Sequence, residues 1–133
     1  MASLHREIAI DAGTDAVWDA VADFGAVHRR LAPGFVTDAR IEDAARIVTF
    51  ANGTTARELL VDCDPDRRRL VYAVVSDRVR HYSAAVQVIG DGDGRCRLLW
   101  TVDLLPNAIA PYIAGQMDLA VVAMRTALEH AAA

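Results

Sequence analysis

Between Phe35 and Leu105, apolar and polar residues alternate with a period of two, and turn residues interrupt the alternation at intervals. Successive side chains of a strand point to opposite faces, so the pattern predicts strands with one buried and one solvated face. Six are expected: Phe35 to Glu42, Arg46 to Ala51, Thr54 to Cys63, Leu70 to Ser76, His81 to Ile89 and Cys96 to Leu105. The breaks between them, "DAA", "NG", "DPDRR", "DRV" and "GDGDG", carry the glycine, proline, aspartate and asparagine that tight turns favour. A seventh strand comes first, Leu4 to Asp11, with Leu4, Ile8 and Ile10 on one face.

The period changes twice. After the first strand, Thr14 is placed to cap a short helix in which Val17, Trp18 and Val21 form the apolar stripe and Asp15 lies in the first turn, where the helix dipole favours an anion. Asp23 is expected to cap a second short helix, Phe24 to Arg30, which Pro33 and Gly34 end. Asn107 then caps a helix of some twenty residues whose buried face is Ile113, Met117, Ala120, Val121, Met124 and Leu128.

The order is therefore strand, two short helices, six strands and one long helix, an α+β arrangement in a single domain spanning residues 1–133. A six-strand meander with one polar face needs a cover for the other, and only the last helix is long and apolar enough to supply it. A curved antiparallel sheet wrapped around one helix leaves a space between them, the kind of concave apolar enclosure in which small molecules bind.

Composition narrows the partners. A chain of 133 residues buries about two-thirds of its unfolded surface and needs no staple. With 14 basic and 18 acidic residues it shows no surplus of cations to neutralise phosphates, which argues against nucleic acid. Cys63 and Cys96 match no metal or redox spacing and read as ordinary thiols. His5, His81 and His130 form no spaced cluster with Cys or acidic residues, so no metal site is expected. Charges at Arg6 and Glu7 stand where a signal peptide needs apolar residues, and Gln116, Asp118 and Arg125 interrupt the apolar C-terminal run, so no membrane span is expected and the reading is cytoplasmic.

The stretch "TTARELLVD" poses the chemical question. If Thr55 and Arg57 face water, Glu58 faces the interior. Its partner depends on the preceding turn. A two-residue "NG" turn pairs Arg46 with Leu59, whereas a three-residue loop, Ala51 to Gly53 with Gly53 left-handed, sets Arg46 opposite Glu58 on the same face.

The element order, together with "AVWDAVADF", "RIVTFANGTTARELLVD", "RRRLVYAVV", "HYSAAVQV" and "LLWTVDL", resembles the START-like, helix-grip superfamily. More narrowly it is similar to the bacterial polyketide cyclase/dehydrase and lipid-transport group (SRPBCC), to which the plant abscisic acid receptors and lachrymatory-factor synthase are related. The resemblance implies a seven-stranded curved antiparallel sheet wrapped around the C-terminal helix with an internal cavity. It favours the three-residue loop and implies that Glu58, Arg46 and Tyr82 are the polar or reactive groups of that cavity, with Tyr72 and Trp100 in its aromatic wall and Val48 and Phe50 beside Arg46. The proline-bearing gate loop of the hormone receptors is replaced here by "NG", which argues against a gate-and-latch mechanism.

Met117, Val121 and Met124 are expected on the helix side of the cavity and His28 near its mouth. The primary expectation is a binding protein, monomer or homodimer, for a small hydrophobic molecule of polyketide, lipid or isoprenoid type. A cyclase or dehydratase that uses Glu58 and Arg46 without any cofactor is the alternative, and a regulatory module without turnover is a third.

Overall fold

The computed structural model describes all residues from Met1 to Ala133. Its elements are β1 (Ala2–Ile10), α1 (Thr14–Ala22), a 3-10 turn (Phe24–Ala26) running into a π-helical turn (Val27–Leu31), β2 (Val36–Glu42), β3 (Ala45–Phe50), β4 (Thr55–Asp64), β5 (Arg69–Val75), β6 (His81–Gly90), β7 (Cys96–Leu105), a second 3-10 turn (Asn107–Ile109) and α2 (Ala110–Ala132). The seven strands form one antiparallel sheet in the order β1-β7-β6-β5-β4-β3-β2, so β2 to β7 are a meander and β1 closes onto its far edge. This is the helix-grip fold.

The alternation expected of the strands is clearest in β7, where Cys96, Leu98, Trp100, Val102 and Leu104 are buried and the residues between them are not. These inward residues meet Met117, Ala120, Met124 and Leu128 of α2 in one core that also includes Ile8, Ile10 and Val17. Val121, expected on the same face, is half-buried and packs against the edge of the core.

The "NG" hairpin takes the three-residue form. Phe50 N–H donates to Thr54 O at 2.8 Å, Gly53 N–H donates to Phe50 O at 2.9 Å, and Gly53 has φ of +87°. Glycine adopts that left-handed conformation without the Cβ clash that other residues incur. Arg46 consequently pairs with Glu58, and Val48 with Ala56.

The helix starts differ from expectation. Gly13 rather than Thr14 stands at the N-cap of α1, and no side chain caps that helix, the Phe24–Ala26 turn or α2. Asp23 instead pairs with Arg30 at 3.0 Å, and Asn107 opens a 3-10 turn before α2, whose start is fixed by Pro111 in its first turn. Gly25 lies close to β2: a Cβ there would stand 3.0 Å from Ile41 Cγ1, so a larger residue would require the Ile41 side chain to shift.

Candidate functional site

The concave side of the sheet and α2 enclose a cavity of about 480 Å³, and 23 of its 30 lining residues are hydrophobic. Its volume lies within the range of small-molecule sites. The sheet contributes Val48, Phe50, Glu58, Arg46, Tyr72, Tyr82 and Trp100; the helix contributes Met117, Ala120 and Met124; the π turn contributes Val27 and Leu31. Of the residues expected at the cavity, Arg46, Val48, Phe50, Glu58, Tyr72, Tyr82, Trp100, Met117 and Met124 line it.

Two expected residues do not. Val27 and Leu31 of the π turn take wall positions, and His28 between them is not among the lining residues. Val121 is directed to the core edge beside Met117 and Ala120, which occupy the lining face of α2.

Arg46 and Glu58 are the only polar or charged residues among the fully buried ones, at 5 % and 7 % exposure. The three-residue hairpin sets them side by side, and Arg46 Nε donates to Glu58 Oε1 at 2.7 Å. Arg46 Nη1 donates to the Phe24 carbonyl at 3.1 Å. The guanidinium carbon lies 4.0 Å from the Phe24 ring centroid and 5.1 Å from that of Tyr72, so both aromatic rings stabilise the cation. The same side chain thus ties the chain segment after α1 onto the sheet and fixes one oxygen of Glu58. Glu58 Oε2 and Arg46 Nη2 have no hydrogen-bond partner in the protein, and both residues line the cavity.

The neighbouring phenols are held neutral. Burial pushes the Tyr72 hydroxyl well above its ordinary pKa; the charge of Glu58 and the proximity of Tyr82 add to the shift, and Arg46 opposes it. Tyr82 is raised for the same first reason, burial, with Glu58 second. Neither is therefore a base at any ordinary pH, and both are hydrogen-bond donors. The Trp100 indole stands close enough to temper the Tyr72 shift, yet its N–H falls short of hydrogen-bond geometry and is buried without a partner in a residue that lines the cavity. An orphaned donor of this kind is uncommon in a folded interior.

At the opening, Asn52 of the β3–β4 loop donates from Nδ2 to the Tyr112 hydroxyl of α2 at 2.9 Å, while its Oδ1 accepts from Thr54 N–H and Oγ1. The turn that sets the Arg46–Glu58 register is thereby tied to the helix across the cavity. Sequence reasoning found neither this bridge nor the part Phe24 plays. Both depend on contacts between distant segments that leave no local pattern.

The family model for polyketide cyclase/dehydrase and lipid transport matches residues 1–131, and the chain belongs to that family. Among solved structures it is similar to a Thermobifida fusca protein (26 % identity, 97 % of this chain and 91 % of that one, TM-score 0.78). It is also similar to truncated norcoclaurine synthase from Thalictrum flavum (19 % identity, 98 % and 92 % covered, TM-score 0.75), an enzyme also solved with dopamine and hydroxybenzaldehyde. A START superfamily protein from Mycobacterium smegmatis matches as well (10 % identity, 98 % and 96 % covered, TM-score 0.72). At identities below a quarter, the last two likenesses speak for the fold alone. No curated protein matches the chain. No helix is long and apolar enough to cross a membrane.

Proposed function

We propose that this protein binds a small, mostly apolar molecule in the cavity between sheet and C-terminal helix, and that the ligand presents an oxygen to the polar centre around Glu58. The observation that carries the reading is an apolar cavity of about 480 Å³ whose wall holds a buried ion pair and an orphaned Trp100 donor. Removing apolar ligand surface from water provides the driving force, about 25 cal/mol per Å² less the cost of ordering the complex. Specificity comes from the few polar atoms: the Trp100 N–H and the Tyr72 and Tyr82 hydroxyls donate, Glu58 Oε2 accepts, and Arg46 holds Glu58 in place. The family includes carriers and cyclases alike, and a polyketide, a fatty-acyl chain or an isoprenoid each fits this chemistry.

Native mass spectrometry of gently purified protein, followed by organic extraction, tests the reading. A discrete bound mass is expected, lost in Ala120→Phe, which fills the cavity from α2. Absence of any adduct, together with no binding of 2-naphthol, retinol or decanol, contradicts it.

A second reading is favoured by one observation: Glu58, Tyr72 and Tyr82 line the same cavity, so a carboxylate and two phenolic donors share one space. In a cofactor-independent dehydration, Glu58 takes a proton from the carbon next to a carbonyl. The C–H electron pair becomes the new double bond, and the hydroxyl at the next carbon leaves with that proton as water. The tyrosines and the free Nη2 of Arg46 stabilise the developing charge on the carbonyl oxygen. This reading requires Glu58→Gln to abolish turnover of an identified substrate while leaving its binding nearly intact.

A further inference from the structure

Three charged residues line the cavity, Arg46, Glu58 and Arg78. The first two neutralise each other at 2.7 Å. Arg78 stands in the loop between β5 and β6, exposed, and takes part in none of the protein's ion pairs. Its loop is ordered through the backbone, where Arg78 N–H donates to Ser76 Oγ at 3.1 Å, and that leaves the guanidinium uncommitted. Apart from Glu58, which Arg46 neutralises, the cavity lining holds no carboxylate, and Asp77, the residue before Arg78, is exposed and not part of the lining. In a protein of net charge −4, the cavity lining thus carries one positive charge more than negative, on the exposed and unpaired Arg78.

We infer that the ligand is an amphipathic monoanion, with its apolar body inside the cavity and a carboxylate, or an anionic group of like geometry, at the mouth on Arg78. This inference rests on the cavity being a binding site, as proposed above. Guanidinium matches a carboxylate with two parallel N–H donors, and Ser76 and Gln116, which line the same cavity, carry neutral donors. An anionic head at the rim stays partly hydrated, so its desolvation cost is small, whereas the same group at the cavity floor would meet Glu58.

Isothermal titration of the full chain with decanoate, decanol and decyltrimethylammonium at low ionic strength separates the possibilities. Decanoate is expected to bind about fivefold tighter than decanol, and the ammonium weakest. Arg78→Glu should erase the preference for decanoate, and added salt should shrink it. Arg80→Glu, two residues on and outside the lining, makes the same charge change and should leave the preference in place. Equal affinity for decanoate and decanol, or an equal effect of Arg80→Glu, overturns the inference while leaving the cavity reading standing. Failure of all three probes to bind, together with no adduct and no binding of 2-naphthol or retinol, overturns the cavity reading and the inference with it, and failure of the three decyl probes alone overturns the inference.

Discussion

Arg57 and Glu58 are neighbours in β4, and the pleat sends them to opposite fates. Arg57 faces outward and pairs with Glu42 at 3.0 Å, with side-chain exposures of 34 % and 46 %. Glu58 faces inward and pairs with Arg46 at 2.7 Å, with exposures of 9 % and 6 %. The partners are chemically alike and the distances similar, so the surroundings make the difference. Water screens the outer pair and solvates each partner when the other is removed. The inner pair has given up its hydration, a cost of several kcal/mol per ion that the mutual attraction offsets only with help. The Phe24 carbonyl and the two aromatic rings give that help by completing the environment of Arg46. A buried pair is thus a poor choice if stability were its only purpose, which supports a ligand role for its uncommitted atoms.

The largest expected effect follows from breaking the inner pair. Glu58→Ala leaves Arg46 charged and uncompensated, and urea unfolding should show a loss of about 3–5 kcal/mol. Alkaline titration sharpens the contrast next. The folded state holds the Tyr72 and Tyr82 protons more tightly than the unfolded chain does, so their stabilising contribution is complete below about pH 10 and falls as pH rises toward the raised folded values. Melting temperatures recorded from roughly pH 9 to pH 11.5 should decline, and Tyr82→Phe should make the decline shallower. The outer pair predicts far less: Arg57→Ala should cost under about 1 kcal/mol, and salt should erase the difference. Smallest of all is the paired replacement Arg46→Met with Glu58→Met, which removes both charges together and should leave the unfolding midpoint close to, or above, that of the native chain. A loss as large as that of Glu58→Ala would show that the pair is there for stability.

What the sequence revealed and what it hid divide along physical lines. Strands β2 to β7 were legible because alternation and turn residues are local. The residues alone left the Arg46–Glu58 register as two alternatives, since a type I′ turn and a three-residue loop both suit "NG", and the family resemblance favoured the three-residue loop; the left-handed Gly53 and the Phe50–Thr54 hydrogen bonding decide it in that sense. Helix starts were misplaced at Thr14 and Asn107 because a capping residue type is a preference, and here pairing and a proline in the first turn serve instead. Helical period correctly marked the buried face of α2, but it does not distinguish side chains that meet a void from those that meet the core, hence Val121. His28, expected near the mouth, lies in the π turn between the lining residues Val27 and Leu31 without lining the cavity itself. Phe24 was invisible as a site residue because its contact with Arg46 spans 22 positions and depends on Gly25 fitting against Ile41.

The central claim is that the polar centre reads an oxygen on an otherwise apolar ligand. Its most direct test compares the affinities of 2-naphthol and 2-methylnaphthalene, matched in shape, for the native protein and for the Arg46→Met, Glu58→Met double variant. The native chain should favour the naphthol by about fivefold, and the double variant, still folded, should lose most of that preference and keep only what the Trp100, Tyr72 and Tyr82 donors supply. An unchanged preference in the double variant, or none in the native protein, would contradict the account.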